Sequence, residues 1–464
     1  FLLQFDKFFK KNSQTIILMI NVFKKKDSLK FIILLGLIIR LASYNLIDLP
    51  NFADQAAYEK AGYEFLNNFL IEKHIVMPLY SVIAYLNKAY LNIDYFNIGC
   101  SVISIYLIYL ISLNIFKDLF IANSAALIMS FYPFNIFYSI SGFSETFFVM
   151  LLLIAFYNLL SKKFILSYIF FVLSILTRPV GDLIFPFIIL FFLIFIFKFD
   201  KKKVFINLTI YFITYIILMF PWWLHNHIKY DKFVRLNLAT NFILYVGNNK
   251  NNKSGGGVII DEDDVRRYPE RFTETHSDYD FEIFKNRPGF ESKVDYLDLN
   301  NRLYSAKIGY REGEVDPPLA KDLSKVRRKK GIENFLIRDL QFKKAAVSYI
   351  KDNPVNFFKN AYIKFKRFWS PIPFSHEFKN NSFFKFVSFL SFSTLLILSL
   401  GGLFFKKNLL NLKLIPLYFF VLYINLVHMV LISSIRYRFI IEWILVLTAA
   451  YSLSFILKKI AKIK

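Results

Sequence analysis

The sequence predicts an all-α, polytopic membrane protein of about ten transmembrane helices, roughly nine to thirteen, with re-entrant or interfacial helices and an extracytoplasmic mixed subdomain. Three observations predict it. Of the 464 residues, 56% are hydrophobic, with 57 Phe and 28 Tyr, far from a soluble composition. The apolar residues gather into runs near the length of about 20 residues that a bilayer requires. Lysines fall in short clusters between alternate runs, where basic residues anchor cytoplasmic loops. The net charge of +24 therefore reads as topology, and no nucleic-acid partner is expected. Cys100 is the single cysteine, so an intramolecular disulfide or a Cys-based metal site is excluded, and the residue reads as a small buried hydrophobe.

Taken in order, the spans are expected near 29–48, 96–115, 119–139, 143–160, 164–177, 180–198, 204–223, 383–405, 411–432 and 437–457, of which 164–177 is short. No cleavable signal peptide is evident, and the first span is expected to direct insertion by itself. The stretch 74–92 carries Pro78 and reads as a re-entrant or interfacial helix. Lys24 to Lys26, Lys117, Lys162 and Lys163, Lys198 with Lys201 to Lys203, Lys406, Lys407 and Lys413, and Lys458 with Lys459 all fall on one side. By the positive-inside rule that side is the cytoplasm, so both termini are cytoplasmic in a multi-pass protein of the cytoplasmic or inner membrane. The opposite side receives the 49–95 connection, the Ser139–Phe143 turn, Arg178, the 224–382 segment and Arg436 with Arg438.

Three regions follow: an N-terminal transmembrane domain over 1–223 with a catalytic outer loop at 49–95, an extracytoplasmic subdomain over 224–382, and C-terminal spans over 383–464. The middle region differs in material, with Gly255 to Gly257, the acidic run Asp261 to Asp264 and Pro317-Pro318. Ile332, Phe335, Leu336 and Leu340 give a partial helical period, and the Lys- and Phe-rich stretch near 355–370 reads as a helix lying at the membrane surface.

Several ionisable residues on the outer side could carry chemistry. Asp54, beyond Asp48-Leu49-Pro50, can stay ionised in water against the membrane domain, as a general base must; the plainer reading is a cap on the helix starting near Gln55. Glu145 enters a span, where an unpaired carboxylate costs on the order of 3 kcal/mol. It either holds or orients reacting groups or is a helix-start residue favoured by the macrodipole. Arg178, before Pro179, can grip a phosphate through two parallel hydrogen bonds or snorkel to the interface. Arg436 and Arg438 would face the same way if extended and diverge by about 200° in a helix. His225 and His227 could form a metal site with His376 or the acidic run, but their spacing matches no familiar zinc pattern, and a flexible acidic run is more often solvated. Gly247-Asn248-Asn249 and the triple glycine make a turning loop that either closes over a ligand or simply links.

The segments Asp54-Gln-x-x-Tyr58, Met77-Pro-Leu-Tyr80, Ser144-Glu-Thr-x-Phe148, Leu176-Thr-Arg-Pro179, Phe220-Pro-Trp222 with Asn226, Leu244-Tyr-Val-Gly-Asn-Asn249, Asn353-Pro354 and Arg436-Tyr-Arg438 run through most of the chain. In this order and sidedness they resemble the GT-C superfamily of polytopic glycosyltransferases, in the branch of protein O-mannosyltransferases and lipid A aminoarabinose transferases. The resemblance implies a polyprenyl-phosphate sugar donor, inversion at the anomeric carbon, Asp54 as base, and donor-phosphate contacts from Arg178, Arg436 and Arg438; Glu145 stands as a second catalytic candidate from its own position. It implies no metal and no cofactor. Tyr58, His225, Asn226 and Asn248 are the expected substrate contacts, and the acceptor is a glycan, lipid or protein among membrane lipids. Two departures stand out: Gln55 where relatives often carry Glu, and His225 where they often carry Arg. The alternatives are a transporter or flippase, which would place charges deep in several spans whereas these spans read as nearly charge-free, and a polysaccharide polymerase or ligase using lipid-linked glycans.

Overall fold

The computed structural model describes residues 21–47, 49, 53–71, 76–90, 92–249, 252, 255–256, 328–373, 381–405 and 411–461. Among them no strand occurs. The helices are α1 (Ser28–Leu46), α2 (Ala53–Asn68), α3 (Pro78–Tyr90), α4 (Ile93–Phe116), α5 (Leu119–Phe131), α6 (Pro133–Ser139), α7 (Ser144–Leu160), α8 (Phe164–Thr177), α9 (Phe185–Phe191, continued as a π-turn over Phe192–Ile196), α10 (Lys201–Tyr230), α11 (Thr240–Gly247), α12 (Arg328–Asp352), α13 (Pro354–Phe368), α14 (Ser382–Phe405), α15 (Ile415–Val430) and α16 (Ile435–Ile460). The chain is an all-α polytopic membrane protein: among the described residues, α1, α4, α10, α14 and α16 are the 5 helices long and apolar enough to cross a bilayer. The pair α5 and α6, bent by 57°, adds a sixth span if read as one, and α7, α8, α9 with its π-turn, and α15 are shorter apolar helices in the remaining runs.

Burial sorts these helices into an inner and an outer set. In α16, 78% of the most apolar window is enclosed by protein, against 11% in α10 and 22% in α1. In α7 every residue except Ile154 and Tyr157 is buried. A helix apolar all round is one with protein or lipid on every side, and here the inner set meets protein and the outer set presents Phe205, Phe212, Ile217 and Phe220 of α10 outward. Between apolar helices in lipid the attraction is van der Waals packing, which small residues allow at close range. Ala122, Ala125, Ala126 and Ser130 of α5 and Ser101 and Ser104 of α4 supply that close range in the core.

Pro133 breaks the α5–α6 span because it lacks the N–H that would pair with the Met129 carbonyl. Unpaired backbone groups are costly at membrane depth, and side chains replace the missing donor: Asn135 Nδ2 reaches Met129 O at 2.9 Å, and the buried Arg40 of α1 donates to Met129 O at 3.3 Å and Ser130 O at 3.1 Å. The expectation of nearly charge-free spans therefore fails at Arg40, a cation placed at a helix C-terminus where the macrodipole favours it.

Three further features bear on the site. Pro78 starts α3 instead of interrupting it, as suits proline in a first turn. The adjoining α2 lies so close that a Cβ on Gly62 would meet Ser81 O at 2.0 Å, which fixes the helix carrying Asp54 against α3. Within 224–382 the described elements are helical, and 257–327, with the acidic run and Pro317-Pro318, lies outside the described residues, so the mixed character expected there does too. Helix α13 buries Asn360, Ala361, Lys364 and Phe368 and exposes Val355, Phe358 and Tyr362. Away from the site, Lys458 bonds Asp118 and Lys413 Nζ bonds Asn114 Oδ1 at 3.0 Å, which gathers these lysine-bearing connections at one end of the bundle.

Candidate active site

At the other end of the bundle the starts of α2, α7 and α16 meet the end of α8. Asp54 and Glu145 occupy the first turns of α2 and α7, where the positive helix end favours a carboxylate. Arg178 caps the end of α8 in an extended conformation (φ −147°, ψ 121°), the region to which the following Pro179 restricts it. The turn behind it is held by Asp182, which accepts from Tyr215 Oη at 2.6 Å and pairs with Arg235 at 2.5 Å. Arg436 stands in the first turn of α16, which the macrodipole disfavours for a cation by roughly 0.3–1 kcal/mol. Two carboxylates offset that cost.

Arg436 is the hub. Its Nη1 lies 2.5 Å from Asp54 Oδ2, while Nε and Nη2 fork onto the two oxygens of Glu145, the latter at 3.3 Å. Such a side-on fork is the strong, geometrically specific form of an arginine–carboxylate pair. Its guanidinium also covers the Phe143 ring at 4.1 Å. Arg178 Nη1 completes the cluster, 2.7 Å from Glu145 Oε1 and 3.0 Å from Ser144 Oγ. Side-chain exposure rises outward, from 0% at Glu145 through 16% at Arg178 and 24% at Arg436 to 47% at Asp54. Among the described residues, two carboxylates and two guanidinium groups thus meet at a partly exposed edge.

Tyr58, one turn after Asp54 on the same helix face, brings its hydroxyl to 3.1 Å from Ser144 Oγ. Burial raises its phenol above the ordinary range, so it serves as a neutral hydrogen-bonding group. The turn before α7 depends on Gly142, whose φ of +66° suits glycine and whose missing Cβ leaves room for the Gln55 side chain. Tyr80 Oη donates to Gly142 O at 2.9 Å, and Asn97 Nδ2 bonds Phe143 O at 3.1 Å and Tyr80 Oη at 2.9 Å, which fixes where α7 begins and hence where Glu145 sits. Asn97 was not singled out in the sequence; a polar amide inside an apolar run was the signal for it.

No protein-family model matches the sequence, and no curated protein matches it. Among solved structures, the chain is similar over 93% of its length to the archaeal oligosaccharyltransferase AglB from Archaeoglobus fulgidus in complex with an inhibitory peptide and a dolichol-phosphate, with a TM-score of 0.50 and 11% sequence identity. What the two share is the arrangement of their helices. The likeness covers 50% of the AglB chain, so this chain spans about half the length of the structure it matches.

The structure places the other expected site residues elsewhere. Arg438 does not join Arg436: α16 is already helical there, so the two side chains diverge as helical geometry dictates. Arg438 is fully buried, pairs with Glu442 at 2.5 Å, donates to Phe368 O at 3.1 Å and to Ser370 O, and stacks on Phe392. His225 accepts the Ile71 N–H at 2.9 Å through Nε2 and stacks on Trp222, and Asn226 donates to Val234 O at 2.8 Å and Leu236 O at 3.0 Å. Both fasten backbone in irregular connections. Asn248 donates to Leu244 O and Val430 O and accepts from the buried Lys364 Nζ at 3.0 Å, locking its loop to α13. Among the described residues no group of three or more His, Cys, Asp or Glu is placed to hold a metal; His376 and the acidic run lie outside them.

Proposed function

We propose that this protein is a membrane glycosyltransferase that moves a sugar from a polyprenyl-phosphate donor to an acceptor at the outer face of the cytoplasmic membrane, with inversion. The observation that carries the reading is the meeting of Asp54, Glu145, Arg178 and Arg436, far apart in sequence, around one opening. Its placement opposite the lysine-bearing connections supports an outward-facing site with both termini cytoplasmic. The GT-C fold, seen in a solved oligosaccharyltransferase bound to a dolichol-phosphate, agrees with a lipid-linked donor.

In this reading Asp54, half open to solvent, accepts the proton of the acceptor hydroxyl as that oxygen attacks the anomeric carbon. The bond from that carbon to the phosphate oxygen breaks, and the electron pair leaves with the polyprenyl phosphate. Arg436 and Arg178 face the charge that gathers there; fixed cations aimed at developing charge are the larger part of such catalysis. Glu145 is enclosed and cannot touch a substrate, so it acts as a positioning residue that holds both guanidinium groups. Tyr58 steadies Ser144 beside Arg178. His225, Asn226 and Asn248 shape the surrounding backbone, and Arg438 anchors the end of α13.

Purified protein in lipid, incubated with a panel of polyprenyl-phosphate monosaccharides, is expected to release polyprenyl phosphate from at least one donor. Asp54→Asn is expected to lower that release by about 10²- to 10⁴-fold, the range for loss of a general base. Undiminished turnover in Asp54→Asn would remove Asp54 from the base role.

A further inference from the structure

We infer that Asp54 occupies, in the protein without donor, the position on Arg436 that the donor phosphate takes, so that donor binding itself releases the base. The inference rests on the lipid-phosphate reading above and adds an order of events to it.

The charge balance motivates it. Among the described residues, the two carboxylates Asp54 and Glu145 face the two guanidinium groups Arg178 and Arg436 before any substrate arrives. A phosphate brings at least one further negative charge into a partly enclosed site, where like charges at short range repel strongly. One of the three anions must then give way. Glu145 is the poor candidate: it is fully enclosed, forked by Arg436 and gripped by Arg178. Taking one partner from a buried charge is costly. Asp54 is the good candidate, because it meets Arg436 through the single oxygen Oδ2 and has 47% of its side chain exposed, so water can solvate the carboxylate when it departs.

The same exchange serves the chemistry. While Oδ2 receives the Arg436 N–H the carboxylate is turned toward the guanidinium and one of its lone pairs is taken; once phosphate takes Nη1, Asp54 is free to turn to an acceptor hydroxyl. The transfer then proceeds with the acceptor proton passing to Asp54 and the electron pair of the broken carbon–oxygen bond passing to the phosphate. Asp54 returns its proton to water and re-forms its pair with Arg436 as polyprenyl phosphate leaves. Donor therefore binds before acceptor, and the base is held back until a donor is present.

The test is equilibrium binding of a short-chain polyprenyl phosphate, with the neutral polyprenol as control, to full-length protein in nanodiscs. Wild type, Asp54→Asn, Asp54→Ser and Arg436→Ala are compared. Both Asp54 variants are expected to bind the phosphate about tenfold more tightly than wild type, because its internal competitor is gone, and Arg436→Ala is expected to lose most of the binding. In wild type, carbodiimide labelling of Asp54 read by mass spectrometry is expected to rise when polyprenyl phosphate saturates the site, which needs no variant to fold. Wild-type binding that stays equal or weakens in both Asp54 variants overturns the exchange while leaving the donor reading standing. Absence of phosphate-dependent binding in every protein overturns both.

Discussion

Arg436 and Arg438 begin the same helix two residues apart, and each faces a glutamate, yet the structure treats them in opposite ways. Arg438 and Glu442 are sealed, at 0% and 2% exposure, under Phe392 and the end of α13. Arg436 also forks onto an enclosed glutamate, but its far side reaches Asp54 at a solvent-open edge. A sealed ion pair cannot respond to a ligand, since separating it leaves an uncompensated buried charge. A pair with one exposed partner can exchange that partner for another anion. The difference teaches that access at the edge of the cluster, and not the presence of an arginine, separates a sealed anchor from a group that can exchange partners.

The largest expected effect tests the sealed side. Arg438→Ala strands Glu442 and should cost about 3–5 kcal/mol of stability, seen as a large drop in thermal unfolding temperature in detergent, with Arg438→Met/Glu442→Leu recovering most of it. An Arg438→Ala protein of unchanged stability that no longer binds polyprenyl phosphate would invert the comparison. On the open side, Arg436→Ala should lower turnover by about 10²- to 10³-fold, as removal of a preorganised charge does, with a smaller change in thermal unfolding than Arg438→Ala. Arg178→Ala should weaken donor binding by about 1–3 kcal/mol, the scale of a hydrogen bond to a charged group; unchanged affinity would confine Arg178 to its structural pair with Glu145.

A third cation sharpens the contrast through pH. Burial among neutral acceptors, Asn248 Oδ1 and Val430 O, lowers the Lys364 ammonium from 10.5 to about 7. Between about pH 7 and 10.5 the unfolded chain then binds more protons than the folded one, so stability rises with pH through that window, and below about 7 the penalty is constant. Unfolding temperature should climb over this range in wild type and climb less in Lys364→Met. Smallest is Tyr58→Phe, which removes one hydrogen bond to Ser144 and should cost about 0.5–1.5 kcal/mol in donor binding or stability.

The helices were legible because each apolar run carries its own length signal. What hydropathy averages concealed was Arg40: one cation inside a long apolar window barely shifts the mean, and its purpose appears only beside the Pro133 break that it caps. Asp54, Glu145, Arg178 and Arg436 stood out as ionisable groups outside or at the ends of spans, where a charge calls for a reason. Which arginine of the Arg436/Arg438 pair turns toward them depended on whether α16 had begun, and the structure shows that it has, capped by Ser434, whose side chain accepts from Arg436 N at 3.3 Å. His225, Asn226 and Asn248 were ambiguous in the sequence for a chemical reason. An amide or imidazole that fastens an irregular carbonyl or N–H is the same group that would bind a sugar hydroxyl, and sequence does not show which partner arrives first.

The claim that the open cluster receives a lipid phosphate is tested most directly by titrating short-chain polyprenyl phosphate into wild type and Arg436→Ala at low and high salt. Wild type should bind the phosphate in preference to the neutral polyprenol, more weakly as salt rises, and Arg436→Ala should lose that preference. Equal phosphate binding by the two proteins would contradict it.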